Sequence, residues 1–137
     1  MGSKAAGRGA AEEPGDPPTR VLVVDDDPQT KPLMVAFLEH LGYRAHAVSS
    51  GPEALAALGK GGYGVVLLDC RMPGMDGFET ARRIRALELP DGQPRLLGFS
   101  GEDRFDFRME CMSAGMDGYV PKPFTAAELR AAVERAR

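Results

Sequence analysis

The chain is short of the residues that most often announce a functional site. Its 137 residues include only two cysteines and two histidines. Cys70 and Cys111 do not have metal-ligand spacing, which argues against a thiolate metal site and for reduced thiols in a cytosolic protein. Cys111 reads as a small core residue, and the same reading is preferred over a redox sensor for Cys70, although Cys70 adjoins Asp69. His40 and His46 have no carboxylate or cysteine partners in a ligand pattern and read as structural or solvated.

Positive charge is also scarce. A net charge of -3 argues against nucleic acid as a partner. The local basic cluster of Arg82, Arg83 and Arg85 reads as a solvated helix face. Residues 1–19 have no apolar stretch of signal-peptide type, and Glu12, Glu13 and Asp16 do not suit a transit peptide. Position 6 is Ala6, where a myristoylation motif after Gly2 wants a hydroxyl. This Gly-, Ala- and Pro-rich segment is expected to be a disordered tail. Residues 20–137 are expected to form one domain, with no room for a separate output domain, no membrane partner and a cytoplasmic location.

Four apolar runs carry the fold signal: Val21–Val24, Val65–Leu68, Leu96–Phe99 and the short Tyr119–Val120. None shows the alternation of a one-sided sheet, so each suits a strand covered on both faces. Arg44–Val48 does alternate and reads as an edge strand. Between the runs lie helical spacings: Leu33, Val35, Phe37, Leu38 and Leu41; Ala54, Leu55 and Leu58; Phe78, Ala81, Ile84 and Leu87; Phe107, Cys111 and Ala114; Leu129, Ala132 and Val133. Five alternations of strand and helix imply a doubly wound, parallel α/β sheet with right-handed crossovers.

The punctuation agrees with this pattern. Asp27-Pro28 suits a helix start, while Gly42 and Gly115 suit helix ends. Ser50 to Glu53 and Thr125 to Glu128 fit the capping box. Pro32 would cost about 3 kcal/mol inside a helix that began at Pro28. A late start with Thr30 as the effective cap, or an irregular first turn, is therefore expected. In the fourth helix a second apolar face, Phe105, Met109 and Met112, implies either deep burial or a partner.

The strand ends carry the chemistry. In a parallel sheet Asp25, Asp26, Asp69, Ser100 and Lys122 all fall at one edge. Turn and cap preferences explain Asp27 well. They explain the other three aspartates poorly, because carboxylates about 4 Å apart repel by roughly 4 kcal/mol per pair at an effective dielectric near 20. A cation would neutralise such a cluster, and an all-oxygen ligand set points to Mg²⁺.

With these features the chain resembles the receiver domain of two-component response regulators, of single-domain type. The matching segments are VLVVDDDP (residues 21–28), LLDCRMPGMDGFE (67–79), LLGFSG (96–101) and AGMDGYVPKPF (114–124). The resemblance implies a flavodoxin-like (βα)5 fold with strand order 2-1-3-4-5. It also implies that Asp69 is the phosphoacceptor. Asp26 would ligate Mg²⁺ directly, Asp25 through water, and Asp69 and the Arg71 carbonyl would complete the protein ligands. Ser100 and Lys122 would hold phosphoryl oxygens, and Tyr119 would swing inward on activation.

The implied donor is a histidine kinase or a histidine phosphotransfer protein, since this chain has no phosphate-binding Gly-rich loop, and a downstream protein partner is implied as well. The expected activity is phosphoacceptance with self-dephosphorylation, not enzymatic turnover. A phosphate-independent pseudo-receiver and an aspartyl-nucleophile phosphohydrolase are the alternatives. The second wants a carboxylate where Arg71 stands. Gly101, Pro121 and Pro32 depart from the commonest family pattern, and Lys122-Pro123 is a candidate cis peptide.

Overall fold

The structure is a computed structural model and describes residues 19–100 and 105–136. The tail proposed for residues 1–19 lies outside it except for Thr19, as do Gly101 and the side chain of Phe105. Five strands alternate with five helices: β1 (Arg20–Val24), α1 (Thr30–His40), β2 (Arg44–Val48), α2 (Gly51–Gly59), β3 (Val65–Asp69), α3 (Gly77–Arg85), β4 (Arg95–Ser100), α4 (Phe105–Ser113), β5 (Gly118–Pro121) and α5 (Ala126–Ala136). The strands form one parallel sheet in the order 2-1-3-4-5, as the sequence implies. No helix among the described residues is long and apolar enough to cross a membrane.

Alternation within the buried strands divides the core in two. Leu22, Val24, Val66, Leu68 and Leu96 face the helices α2, α3 and α4, meeting Leu58, Ile84, Phe107 and Cys111. Val21, Val23, Val65, Leu67, Leu97 and Phe99 face α1 and α5, meeting Leu38, Leu129 and Val133. Strands β1 and β3 are thus apolar on both sides, which is why their sequences run unbroken. Edge strand β2 pairs only with β1 and is partly exposed along its length.

Most of the punctuation is realised. The Glu128 carboxylate accepts from the Thr125 N–H and the Thr125 hydroxyl accepts from the Glu128 N–H, completing one capping box. Ser50 caps α2, but Glu53 reaches the N–H of Ser49 and not that of Ser50. Gly42 (φ 100°) and Gly115 (φ 98°) end α1 and α4 in the left-handed conformation that a helix terminus of this kind requires. The Lys122-Pro123 bond is cis.

Two helix readings change. Of the two expectations for α1, the late start is the one found, with Gln29 in place of Thr30 at the cap position. Thr30 is the first helical residue and not the cap: its hydroxyl donates to Asp27, whose carboxylate also accepts from the Gln29 N–H. The Lys31 N–H reaches the Asp27 carbonyl, so the turn containing Pro28 precedes the regular helix and Pro32 falls in its first turn. The buried face of α1 is Met34 and Leu38; Leu33 is 71% exposed, because the helix presents the 34/38 stripe to the sheet. Phe107 and Cys111 of α4, and Ala114 just past its end, are buried while Met109 and Met112 are 53% and 57% exposed, which removes the deep-burial reading for these two residues of its second face.

Gly77 opens α3 against the end of β3. A Cβ there would lie 2.4 Å from the Asp69 carbonyl oxygen and 2.8 Å from Cys70 Cα, both backbone atoms that cannot yield cheaply. Gly77→Ala is expected to lower stability by about 1–3 kcal/mol in denaturant unfolding. Gly59→Ala, where nothing lies within 4 Å, serves as the control and should be neutral or stabilising by up to about 1 kcal/mol. Met109→Glu should change stability by less than about 0.5 kcal/mol, as expected of an exposed position.

Candidate functional site

Register assembles the site. Val24 pairs with Leu68, so Asp25 and Asp69 each follow that level, at the carboxyl ends of neighbouring central strands. Asp69 pairs with Phe99, and Ser100 pairs with Pro121, one residue before Lys122. The Lys122 N–H donates to the Ser100 carbonyl at 2.8 Å, fixing the last strand to its neighbour at the point where both side chains leave the sheet. Five residues separated by up to 97 positions in the chain thereby share one edge.

Asp25, Asp26 and Asp69 form the acidic centre, each offering a carboxylate oxygen within 4.8 Å of the others. Asp25 and Asp69 are buried, whereas Asp26 is exposed, so the centre has a closed floor and an open side. At 4.8 Å two unit charges still repel by about 3.5 kcal/mol at an effective dielectric of 20. The loops partly offset this: Asp25 Oδ1 accepts from the Asp27 N–H at 2.9 Å, and Asp69 Oδ1 from the Arg71 N–H at 3.0 Å. Asp27 stands apart, exposed, and its carboxyl is held below the usual range by the Gln29 N–H and the Thr30 hydroxyl.

Asp69 behaves in the opposite way. Burial, reinforced by the charge of Asp25, pushes its carboxyl up to about 7 against the lowering effects of the Arg71 N–H and Lys122. The acidic centre therefore takes up a proton near neutral pH unless a cation takes its place. One further atom marks where that cation belongs. Asp25 Oδ2 is buried and accepts no hydrogen bond among the described residues, and the Lys122 ammonium is 4.0 Å away. A buried carboxylate oxygen without a donor is costly. A hard divalent cation bound by carboxylates and water would satisfy it, so the residues present fit Mg²⁺.

The remaining site residues form the rim. Ser100 is buried at the end of β4. The Lys122 ammonium lies 4.7 Å from the centre of the Phe99 ring. Tyr119 packs edge-on against Phe107, 5.7 Å between centroids, and Phe107 packs edge-on against Phe78 at 5.3 Å. The Arg108 guanidinium lies 5.3 Å from the Tyr119 ring and that of Arg71 5.5 Å from the Phe107 ring. This aromatic series links β5, α4 and α3. It is not visible in the sequence, where Phe78 and Phe107 are only core positions of two different helices.

An acidic, cation-fitting centre at the carboxyl edge of a 2-1-3-4-5 sheet, with a hydroxyl and a lysine on adjacent strands, is the arrangement of a phosphate-handling signalling domain. The chain belongs to the response regulator receiver domain family, which it matches over residues 21–134. It is 43% identical over 115 residues to the virulence sensor protein BvgS of Bordetella bronchiseptica, covering 81% of this chain and 9% of that protein. It is 33% identical to the transcriptional regulatory protein YkoG of Bacillus subtilis, covering 85% of this chain and 50% of YkoG. The chain thus spans about a tenth to a half of the length of these relatives.

Among solved structures, the chemotaxis protein CheY4 of Vibrio cholerae superposes with a TM-score of 0.81 at 27% identity, over 88% of this chain and all of CheY4. The receiver domain of the sensor histidine kinase PA1611 of Pseudomonas aeruginosa, solved with a magnesium ion coordinated in its active-site cleft, does so at 0.78 and 32% identity, over 88% of this chain and 98% of that one. The class is a two-component receiver domain with the fold of CheY.

The raised Asp69 carboxyl gives a signed prediction. Its folded value near 7 exceeds the ordinary value of 3.8, so the native state binds more protons than the unfolded state between these limits. Stability of the metal-free protein therefore falls as pH rises through that window. Asp69→Asn removes the effect. Its melting temperature should exceed that of the parent by several degrees at pH 8, by little below pH 4, and by less at pH 8 once Mg²⁺ is added. Differential scanning calorimetry across pH checks this.

Proposed function

We propose that this receiver is a Mg²⁺-dependent phosphoacceptor in which Asp69 takes a phosphoryl group from a phosphohistidine of a kinase or phosphotransfer protein. The observation that carries the reading is the meeting of three carboxylates, a buried hydroxyl and a lysine at one sheet edge, with an unsatisfied Asp25 oxygen at its floor. Histidine kinases and sensor proteins among the relatives support the choice of donor.

A carboxylate oxygen of Asp69 attacks phosphorus in line with the departing imidazole. The P–N bond breaks, its electron pair stays on the imidazole nitrogen, and the product is an acyl phosphate. Charge on the equatorial oxygens must be held as this happens. Ser100 donates its hydroxyl proton to one oxygen, and the Lys122 ammonium pairs with another after leaving Asp25. Asp26, Asp69 and the Arg71 carbonyl, with Asp25 through water, would hold Mg²⁺, which when bound would supply further charge neutralisation and disfavour protonation of Asp69. Water hydrolyses the acyl phosphate to the free Asp69 carboxylate and inorganic phosphate, so the chain resets by self-dephosphorylation and is a phosphoacceptor, not a turnover enzyme.

Signalling follows if the new contacts favour one of two arrangements of the β4 end and β5. Charge-assisted hydrogen bonds contribute roughly 1.5–3 kcal/mol each. Moving an equilibrium from 1:99 to 99:1 takes about 5.5 kcal/mol, so contacts from Ser100 and Lys122 with one more would suffice. Tyr119, seated on Phe107, would carry the change to α4, whose exposed Met109 and Met112 are the candidate surface for a downstream protein. A cytoplasmic setting belongs to the same proposal and agrees with two free thiols.

Incubation with acetyl phosphate followed by intact-mass measurement tests this. One phosphoryl adduct per chain is expected with Mg²⁺, none with chelator, and none in Asp69→Asn. Lys122→Ala should slow adduct formation by about tenfold or more. No adduct under any condition would instead favour a phosphate-independent binding module, and repeated turnover of a phosphate ester would favour a hydrolase.

A further inference from the structure

The two cysteines, 41 positions apart in sequence, meet in the core with their sulfurs 3.7 Å apart. Cys70 directly follows Asp69 at the end of β3, and Cys111 lies on the buried face of α4. Both sulfurs converge over Gly98 of β4, where a Cβ would lie 3.0 Å from Cys70 Sγ and 3.2 Å from Cys111 Sγ. A residue without a side chain at the middle of a central strand is what lets the thiols touch.

From these contacts we infer that Cys70 and Cys111 are a redox-modifiable pair, forming an intramolecular disulfide that ties α4 to the strand end carrying Asp69. A disulfide needs the sulfurs at about 2.05 Å, so they must approach by roughly 1.7 Å. Helix α4 is the element suited to supply that movement. It is held to the core through Phe107, Cys111 and Ala114, while Met109 and Met112 on its other side face solvent.

The thiols are buried, but Cys70 borders an opening. A cavity of about 560 Å³ opens between the loop after β3 and α4, lined by Cys70, Arg71, Met72, Phe78, Phe107 and Glu110. It is wide enough for a small oxidant such as a hydroperoxide. One sulfur of the touching pair gives up its proton and attacks the peroxide oxygen, the O–O bond breaks, and the leaving oxygen takes that proton and departs as water or alcohol, giving a sulfenic acid. The other sulfur then attacks that sulfur, the S–OH bond breaks, and the hydroxyl leaves as water with the second thiol proton. Two thiols are oxidised by two electrons and the peroxide is reduced.

The consequence is mechanical. Phe107 bears on Tyr119 from the same helix that carries Cys111. A cross-linked α4 cannot separate from β3, so the aromatic series between α3, α4 and β5 is fixed. The pair would then set a second input, chemical oxidation, beside whatever occupies the acidic centre one residue away.

The full chain treated with hydrogen peroxide, and separately with diamide, tests this by mass spectrometry and amide hydrogen exchange. Non-reducing peptide maps should show a Cys70–Cys111 cross-link with the loss of two hydrogens, reversed by dithiothreitol and absent in Cys70→Ser and Cys111→Ser. Amides of α4 should exchange about tenfold more slowly in the oxidised protein. Sulfinic or sulfonic products, cross-links only between chains, or thiols unchanged by both oxidants would overturn the pair as a disulfide site. A cross-link that leaves α4 exchange unchanged would overturn the fastening of α4. Neither readout depends on phosphoryl transfer, so the result stands apart from the function proposed above.

Discussion

Repulsion among three carboxylates at the end of a parallel sheet is the constraint on which the rest of this structure depends. A fold that places Asp25 and Asp69 in buried positions on adjacent strands, with Asp26 beside them, accepts an electrostatic cost that no internal contact removes in full. Lys122 stands 4.0 Å from one oxygen, and two backbone N–H groups each hold another. The repulsion adds to burial, the larger cause, in raising the Asp69 carboxyl. The site is thus poised to exchange a proton for a cation.

The surrounding packing keeps this arrangement in place. Two apolar layers cover β1 and β3 on both faces, so the strand ends that carry the aspartates have little freedom to relax apart. Gly77 brings the start of α3 against the Asp69 carbonyl, and Gly98 admits Cys70, Cys111 and Met116 over β4. In both places the missing side chain lets a second element approach within contact distance of the residues beside the acidic centre. Chemistry at the edge and packing beneath it are therefore coupled through Cys70, which follows Asp69 directly and whose thiol is pushed up by its Cys111 contact and by burial.

Much of this could be read from the chain. The unbroken runs at Val21–Val24 and Val65–Leu68 gave their strands away because both faces are buried, and the alternating Arg44–Val48 gave away the edge. The reading was weakest where local pattern and tertiary contact compete. Leu33 looked like core but faces solvent, because Met34 and Leu38 suffice to cover the sheet. The cap of α1 was misplaced by one residue: Gln29 holds the cap position without a side-chain bond, and the Asp27 carboxylate accepts from the turn before the helix instead. The second apolar face of α4 was visible in sequence, but only packing showed that it is exposed.

The sequence by itself determined the alternation of strands and helices, the strand ends as the place for chemistry, and the residue types that chemistry needs, since periodicity and composition are local properties of the chain. Tertiary structure alone decided which of those residues meet. Parallel register levels Asp25 with Asp69 and sets Lys122 beside Asp25, and it stacks Phe78, Phe107 and Tyr119 in series. It also brings Cys70 and Cys111 into contact across 41 positions. Distances of a few ångströms between residues far apart in sequence arise from crossover packing, which no local window of the chain encodes.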